Sequence, residues 1–419
     1  MNIMITIRKR VGMENLKEIK LEKREWTFLF LGSAVGTGIL FLPLQAGKVS
    51  LITTLISIVI SLLCVYVGHR LIGRITCATE QCRSYDHAIE ESLGKVAGII
   101  LSIVFILFLF TIIVIYGTST TSNLASALEY YHVAPVGLNS HVWYVALCLV
   151  LMIIPLLFGE NFLLKLIEKV VALKLLVLVL LIIMFIPLWQ RVNIHHYLLF
   201  SPHGMVKDII LLLPVLIFGA CFFPSIGPMS RFLQEKHPSD LAEVHFSKVN
   251  GSIVRSMVWL AIILLLFITS VLFALTPDSL DYAAKNNLTA LAVISKSDPT
   301  GWSAAAATFA GYLISMLAIL TAFYAVILGL IDGVLTRLNY KISKKWTIVI
   351  IFIVLFFWIV LKINVLVFII HVISPLIILY VFFVPSIAIY VSPKLKPYRG
   401  WLPIVSLIIG VILVATTIV

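Results

Sequence analysis

Charge is what this sequence has least of. Lysine, arginine, aspartate and glutamate make up 12% of its 419 residues, against 61% hydrophobic side chains, and the mean hydropathy is +1.11. Soluble domains carry about 25% charged residues. A water-soluble globule is therefore excluded, and lipid must solvate most of the chain. Acids are scarcer than bases, 19 against 31, for a net charge of +12. On a soluble protein that excess would suggest nucleic acid. On an apolar chain, bases collect on cytoplasmic loops and face anionic lipid, so no nucleic-acid partner is expected. Cysteine is rare too. Cys64, Cys77, Cys82, Cys148 and Cys221 share no paired spacing, which argues against a disulfide framework and a zinc site. The sequence holds no His-Glu-x-x-His, Gly-x-Ser-x-Gly or Walker loop and no paired intramembrane aspartates. Neither an intramembrane enzyme nor an ATP-driven pump is expected, and no cofactor or metal. The N-terminus lacks a short apolar stretch with a cleavage site, so the first span is expected to be its own targeting signal.

What the chain has is long apolar runs. A helix must rise 1.5 Å per residue through a hydrocarbon core of about 30 Å. Eleven runs meet this demand, at 26–46, 51–73, 98–124, 142–158, 166–188, 207–230, 253–275, 302–331, 346–361, 365–391 and 401–419. An all-α membrane protein of about eleven transmembrane helices follows. With the N-terminus inside, the inside loops hold 21 lysines and arginines and the outside loops 5. The positive-inside rule then predicts a cytoplasmic N-terminus and an outside C-terminus in a bacterial inner membrane. Two segments, 79–96 and 238–249, are amphipathic and predict interfacial or connecting helices.

Two of the runs are interrupted. Span one carries Gly32-Ser33-Ala34-Val35-Gly36-Thr37-Gly38 at mid-membrane. Taken alone, such a run fits close helix packing as well as a break. Span six carries Phe218-Gly219-Ala220-Cys221-Phe222-Phe223-Pro224, and a mid-span proline breaks a helix. Interruptions at matching places in two halves point to a secondary transporter with an inverted repeat and a midplane site. Five spans bring the chain to the opposite face, so a second five-span unit begins inverted. The expected organisation is a cytoplasmic segment 1–25, one repeat over 26–189, its inverted copy over 190–391, and a loop with an eleventh helix over 392–419. Broken ends expose amides and carbonyls. The amides near Gly36, Thr37 and Gly38 suit a carboxylate, and the carbonyls near Phe218 and Gly219 suit an ammonium.

The run GTGILFLPLQAG after the first break resembles the start of the hydroxy and aromatic amino acid permeases. GHRLIGRI in span two, FGEN before span five, FIPLWQ at its end, FALTPDSLDYAAKNNLTALAVIS after span seven and LGLIDG in span eight resemble the serine/threonine branch. That family belongs to the amino acid/polyamine/organocation superfamily, and the ordered set covers nearly the whole chain. The resemblance implies a LeuT-type 5+5 inverted repeat. It also implies uptake of an amino acid, a hydroxy amino acid favoured, by proton symport through alternating access in a monomer. The chain departs from the serine/threonine branch at Lys174, Thr321 and Val326. An aromatic substrate, sodium coupling and, from a different class, a channel or uniporter stay open as alternatives.

Ionisable groups within spans are costly and default to functional hypotheses. Lys174 lies about 12 Å from the cytoplasmic end of span five. It either snorkels to that interface or faces the broken first helix, standing where sodium-coupled relatives hold a cation and exchanging a proton during transport. His371, beside Ser374 and Pro375, is a packing or a relay histidine. Thr321 and Ser315 either face span one or bond their own backbone. Thr321 joins Lys174 and His371 as an ion-coupling candidate. The substrate-binding candidates are Ser33, Gly36, Thr37, Gly38, Tyr116, Phe218, Gly219, Phe222, Phe223 and Ser315. Tyr116 offers a hydroxyl, and Phe222 and Phe223 an apolar lid. Glu160, Lys165, Glu168 and Lys169 are expected to form local pairs, and Asp332 to close span eight.

Overall fold

The computed structural model describes residues 26–80, 84–158, 160–200, 202–296, 302–338 and 341–418. For a few of these, Thr37, Glu160, Lys165, Glu168 and Asp332 among them, only the backbone is described. The expectations for the segment 1–25, for Cys82 and for those side chains lie outside the described residues.

Every apolar run becomes a helix. The first is bent into α1 (Trp26–Ala34) and α2 (Thr37–Ala46), with a 48° angle at the break. There follow α3 (Leu51–Ala78), the short α4 (Tyr85–Leu93), α5 (Lys95–Tyr130), α6 (Val142–Leu157), α7 (Glu160–Phe185) and α8 (Arg191–Leu198). The sixth run splits into α9 (Met205–Ala220) and α10 (Ile226–Lys236). After it come α11 (Ala242–Ala274), α12 (Pro277–Lys285), α13 (Trp302–Arg337), α14 (Lys344–Val360), α15 (Val365–Val391) and α16 (Trp401–Ile418). Among the described residues, seven helices are long and apolar enough to cross a membrane, or eight with the bent pair as one span. α6 and α16 are apolar but shorter, and α14 has 17 residues.

Two sequence expectations change. The amphipathic segment 238–249 is no separate connecting helix, because its residues from Ala242 onward are the first turns of α11. The continuous 3.6-residue pattern of α11 carries it beyond the apolar run. The stretch after span seven, noted only for its resemblance, holds α12. Thr276 caps it by accepting the Ser279 N–H at 3.3 Å, and Pro277 follows in the first turn, where proline's missing N–H costs nothing.

The ends of several helices are set by hydroxyl or amide caps at the loops. Ser50 caps α3, Ser84 α4, Ser343 α14 and Asn364 α15; each supplies an acceptor to an otherwise unpaired amide. Apolar side chains such as Val59, Leu63, Leu107, Leu176, Val258 and Ile353 are exposed on the outer faces. Trp143, Trp346 and Trp401 stand exposed in the first turns of α6, α14 and α16. An apolar outer belt with tryptophans at its edges is a bilayer-facing surface. The protein is thus a multi-pass, all-helical membrane protein.

The long helices α5 and α13, each 36 residues, pack along one another, and α3 packs along α11. At 1.5 Å per residue each long helix spans about 54 Å, so it tilts or projects beyond the bilayer. α15 is wound as π-helix over Ile369–Ile373 and Leu379–Phe383, just before the prolines at 375 and 385 that cannot donate to the ladder. Ser374 Oγ lies within hydrogen-bonding distance of Ile369 O and of Pro214 O on α9. The two broken helices sit in the centre of this frame.

Candidate substrate and ion-coupling site

In the first span the ladder fails from Gly36 onward. Val35 N–H still donates to Leu31 O at 2.7 Å, but Gly36 N–H turns to Ala34 O at 2.7 Å. In a continuous helix Gly36 would have bonded Gly32 O. The break therefore releases the Gly32 carbonyl. Lys174 takes it: its Nζ donates to Gly32 O at 2.9 Å and to Thr321 Oγ1 at 3.2 Å. Thr321 donates its own hydrogen to Leu317 O at 2.7 Å, so its lone pair faces the amine. Lys174 is fully buried and joins α7 to α1 and α13. It pairs with no carboxylate among the described residues. Of the two readings of this lysine, the geometry excludes snorkelling.

The glycines explain how the elements come so near. A Cβ on Gly32 would fall 2.7 Å from Val171 Cγ1 of α7, and a Cβ on Gly38 would fall 2.7 Å from Gly219 Cα. Any larger residue would push α1 off α7, or α2 off α9.

The second break releases a donor instead. α9 ends at Ala220, Cys221 is extended, and Phe223–Ser225 form a single 3-10 turn before α10. Cys221 N–H takes Phe218 O at 3.4 Å, which leaves the Phe222 amide without its helical acceptor. His69 of α3 supplies one: its Nε2 lies 3.1 Å from Phe222 N. His69 Nδ1 lies 2.7 Å from Val65 O. A carbonyl only accepts, so Nδ1 carries the hydrogen and Nε2 presents its lone pair. The imidazole packs on the Phe222 ring at 4.4 Å, and Phe30 of α1 stacks on the other side at 4.9 Å. His69 was invisible as a site residue in the sequence. It lies inside the GHRLIGRI resemblance near the end of span two, and its being an ionisable group within a span is the one signal that marks it.

Between the breaks lies a cavity of about 50 Å³, lined by Ser33, Gly36 and Gly38 of the first span, Tyr116 of α5 and Phe218 and Phe223 beside the second break. Cys221, Pro224, Ala322 and Val326 complete much of the wall. The Thr37 backbone begins α2, whose N-cap, Gly36, offers no side-chain cap, so its first amides are available to an anion. Lys174 stands directly behind the wall: its acceptors Gly32 and Thr321 each precede a lining residue, Ser33 and Ala322.

Four candidates fall elsewhere. Gly219 packs against the Gly38 backbone rather than lining the cavity. Phe222 is buried between His69 and Phe30, because the turn at the break swings its side chain toward α3, and it forms no lid. Ser315 lies in another polar cluster, where its hydroxyl meets Thr289 Oγ1 at 2.8 Å and Thr289 bonds Asn123 Oδ1 of α5 at 2.9 Å. That network ties the segment after α12 to the bundle, a packing role. His371 is exposed on α15 and belongs neither to the cavity wall nor to the Lys174 hydrogen bonds.

At the end where α5 begins, the bundle is sealed. Gly227 of α10 lies so close to α4 that a Cβ there would meet Tyr85 N at 2.9 Å. Phe223 packs on Tyr85 and Phe108, and Tyr85 OH donates to Tyr380 O at 2.6 Å. Arg337 pairs with Glu90 at 3.0 Å, and Lys394 with Glu91 at 3.0 Å. Glu91, with Glu80, holds the exposed Lys394 ammonium above the ordinary lysine value.

Known proteins agree with this architecture. The threonine/serine transporter TdcC of Yersinia enterocolitica is 25% identical over 400 residues, covering 90% of each chain. A serine transporter of Escherichia coli O157:H7 is 27% identical over 425 residues, covering 96% of this chain and 94% of its own. Among solved structures, the Eremococcus coleocola manganese transporter superposes with a TM-score of 0.60 at 12% identity, over 96% of this chain and 86% of that one; at that identity the likeness concerns the fold alone. These relatives are transporters and not enzymes, as the missing hydrolase motifs implied. The model of the tryptophan/tyrosine permease family matches residues 25–401, nearly the whole chain and both breaks with it, and the protein belongs to that family.

Proposed function

We propose that the protein is an amino acid:proton symporter working by alternating access, with eleven spans, a cytoplasmic N-terminus and an outside C-terminus. The observation that carries this reading is the Lys174 amine on the released Gly32 carbonyl, one residue behind the cavity wall. An amine there exchanges a proton as the first span moves, and its charge state is felt at the break that holds the substrate carboxylate on the α2 amides. Ser33 and Tyr116 face the bound substrate, and Phe218 and Phe223 cover its side chain.

A hydroxy amino acid is the favoured substrate. The small cavity and its two hydroxyl side chains support it, as do relatives named for serine and threonine. An aromatic amino acid is the second reading, favoured by the name of the family model. The inverted repeat over 26–189 and 190–391 has support in the matched 36-residue helices α5 and α13. The short helices add to it: α4 lies against the broken α10 at Gly227, while α12 lies against α2 at Gly47, where a Cβ would meet Leu280 Cδ1 at 2.5 Å. The two contacts lie at opposite ends of the bundle, as inversion requires.

Purified protein in proteoliposomes tests the proposal. An imposed inward proton gradient, without sodium, should concentrate labelled serine or threonine above the outside level. Equal uptake with and without the gradient would indicate a uniporter or channel, and a strict sodium requirement would overturn the proton assignment. Competition by all twenty amino acids fixes the substrate.

A further inference from the structure

The structure holds a larger cavity than the one between the breaks. This second cavity, of about 310 Å³, lies near the far end of α5, walled by α5, the start of α6, the turn after α12 and the end of α14. The side chains of Thr111, Thr120, Thr121 and Asn123 each bond a carbonyl of their own helix α5. Thr118, on the cavity wall and 3% exposed, does not; its Oγ1 is buried without a hydrogen-bond partner, as is Oδ1 of Asn139, another lining residue. Unpaired buried polar atoms are rare because each forfeits its hydration. Asn139 Nδ2 donates to Ser122 Oγ at 3.1 Å, which leaves the Ser122 hydrogen free for another acceptor.

Two lysines, Lys285 and Lys362, complete the lining. Lys285 shares Asp281 at 2.6 Å; Lys362 pairs with no carboxylate among the described residues. Lys362 is also held in place. Its φ of 51° and the 56° of Asn287 are left-handed values, uncommon outside glycine though less so for asparagine. The constraint is visible: Asn287 Nδ2 donates to Ile363 O at 3.0 Å, and its Oδ1 accepts Val365 N–H at 2.7 Å. The turn that carries Lys362 is thereby fixed on the turn that carries Lys285.

We infer that this cavity is a second binding site, for a small oxyanion that also carries a hydrogen-bond donor. The lysines and the hydroxyls of Thr118 and Ser122 would take the anionic oxygens, and Asn139 Oδ1 the donor. A free amino acid zwitterion and the phosphoglycerol headgroup of an anionic lipid both have this chemistry. The site is separate from the cavity between the breaks and does not depend on the transport reading.

An S140C variant provides the readout, because Ser140 is exposed at the rim of the cavity. Its alkylation by a maleimide is followed by peptide mass spectrometry in nanodiscs of neutral phosphatidylcholine. Added serine or inorganic phosphate should slow the reaction about threefold at twice the dissociation constant, by simple occupancy. Protection only in discs containing phosphatidylglycerol would assign the site to a lipid headgroup. The exposed Lys362→Gln and the isosteric Thr118→Val should each abolish the protection. Rates unaffected by every probe, or protection that survives both substitutions, would overturn the inference.

Discussion

The amine of Lys174 stands 2.9 Å from the carbonyl oxygen of Gly32, an acceptor that exists only because Gly36 abandons the helical ladder for Ala34. The second break repeats the logic with the sign reversed. There the released group is a donor, the Phe222 amide, and His69 receives it at 3.1 Å. Non-helical backbone at membrane depth persists only where protein groups satisfy it. Here a side chain from a neighbouring helix does so at each break, a lysine for the freed carbonyl and an imidazole nitrogen for the freed amide. Both breaks are thereby tied to helices outside the broken pair.

Lys174 is expected to be indispensable for coupling rather than for folding alone. Lys174→Met keeps the apolar stem but removes both donors. Gly32 O then stays buried without a partner, at a cost of about 1–3 kcal/mol. Gradient-driven accumulation in proteoliposomes should fall to unity, while exchange of labelled for unlabelled substrate persists. A variant that still accumulates substrate against its gradient would remove the lysine from the coupling step.

His69→Ala should leave the Phe222 N–H buried and unpaired, again at about 1–3 kcal/mol. The wall of the cavity includes Phe223 and Pro224 just beyond, so the loss should appear in maximal uptake rate as well as in thermal stability. His69→Gln carries an amide oxygen that can accept the same hydrogen, and it should recover part of both. Equal damage from alanine and glutamine would mean that ring packing against Phe30 and Phe222 matters more than the hydrogen bond.

Much of this was legible in the sequence, for identifiable reasons. The spans follow from apolar runs, since hydrocarbon admits little else. Pro224 and the glycines marked both breaks, and Lys174 stood out as an ion in an apolar helix. What could not be read was rotation. Phe222 and Phe223 are neighbours, yet the turn between α9 and α10 sends one toward His69 and the other to the cavity. Ser315 and Thr321 lie on one helix, six residues apart, but meet different partners. His371 was singled out as an ion in a span, and the π-wound stretch of α15 leaves it exposed. Facing is decided by neighbours distant in sequence, and single-chain spacing does not encode them.

The glycines of the first break should separate folding from binding. A Cβ on Gly38 meets only backbone of Gly219 and the Phe218 ring, at 2.7 to 3.0 Å. Gly38→Ala should therefore cost about 1–3 kcal/mol through overpacking and lower the yield of folded protein. A Cβ on Gly36 lies 3.1 Å from Ala322 Cβ and 3.8 Å from Tyr116 OH, inside the cavity wall. Gly36→Ala should fold, yet raise KM about tenfold by taking a methyl's worth of a small site. Measuring melting temperature and KM for both variants distinguishes the two roles; identical behaviour would mean that both glycines serve packing alone.

Cys221 offers a native reporter of the cavity, because it lines the space between the breaks while Cys77 and Cys148 are buried elsewhere. A small thiol reagent should modify it slowly from the sealed end, where Phe223 sits on Tyr85 and Tyr85 OH holds Tyr380 O at 2.6 Å. Tyr85→Phe deletes that bond and leaves the Tyr380 carbonyl without its donor while preserving the ring. A charge-neutral hydrogen bond of this kind contributes about 1 kcal/mol, so the population open at that end should rise about fivefold, and modification of Cys221 with it. Saturating substrate should slow modification in both proteins, because it occupies the same space. The rate at Cys221, read by peptide mass spectrometry, thus reports gate and site together. Acceleration without substrate protection would place the binding site away from the breaks. Protection without acceleration would show that the Tyr85 contact is not what keeps that end closed.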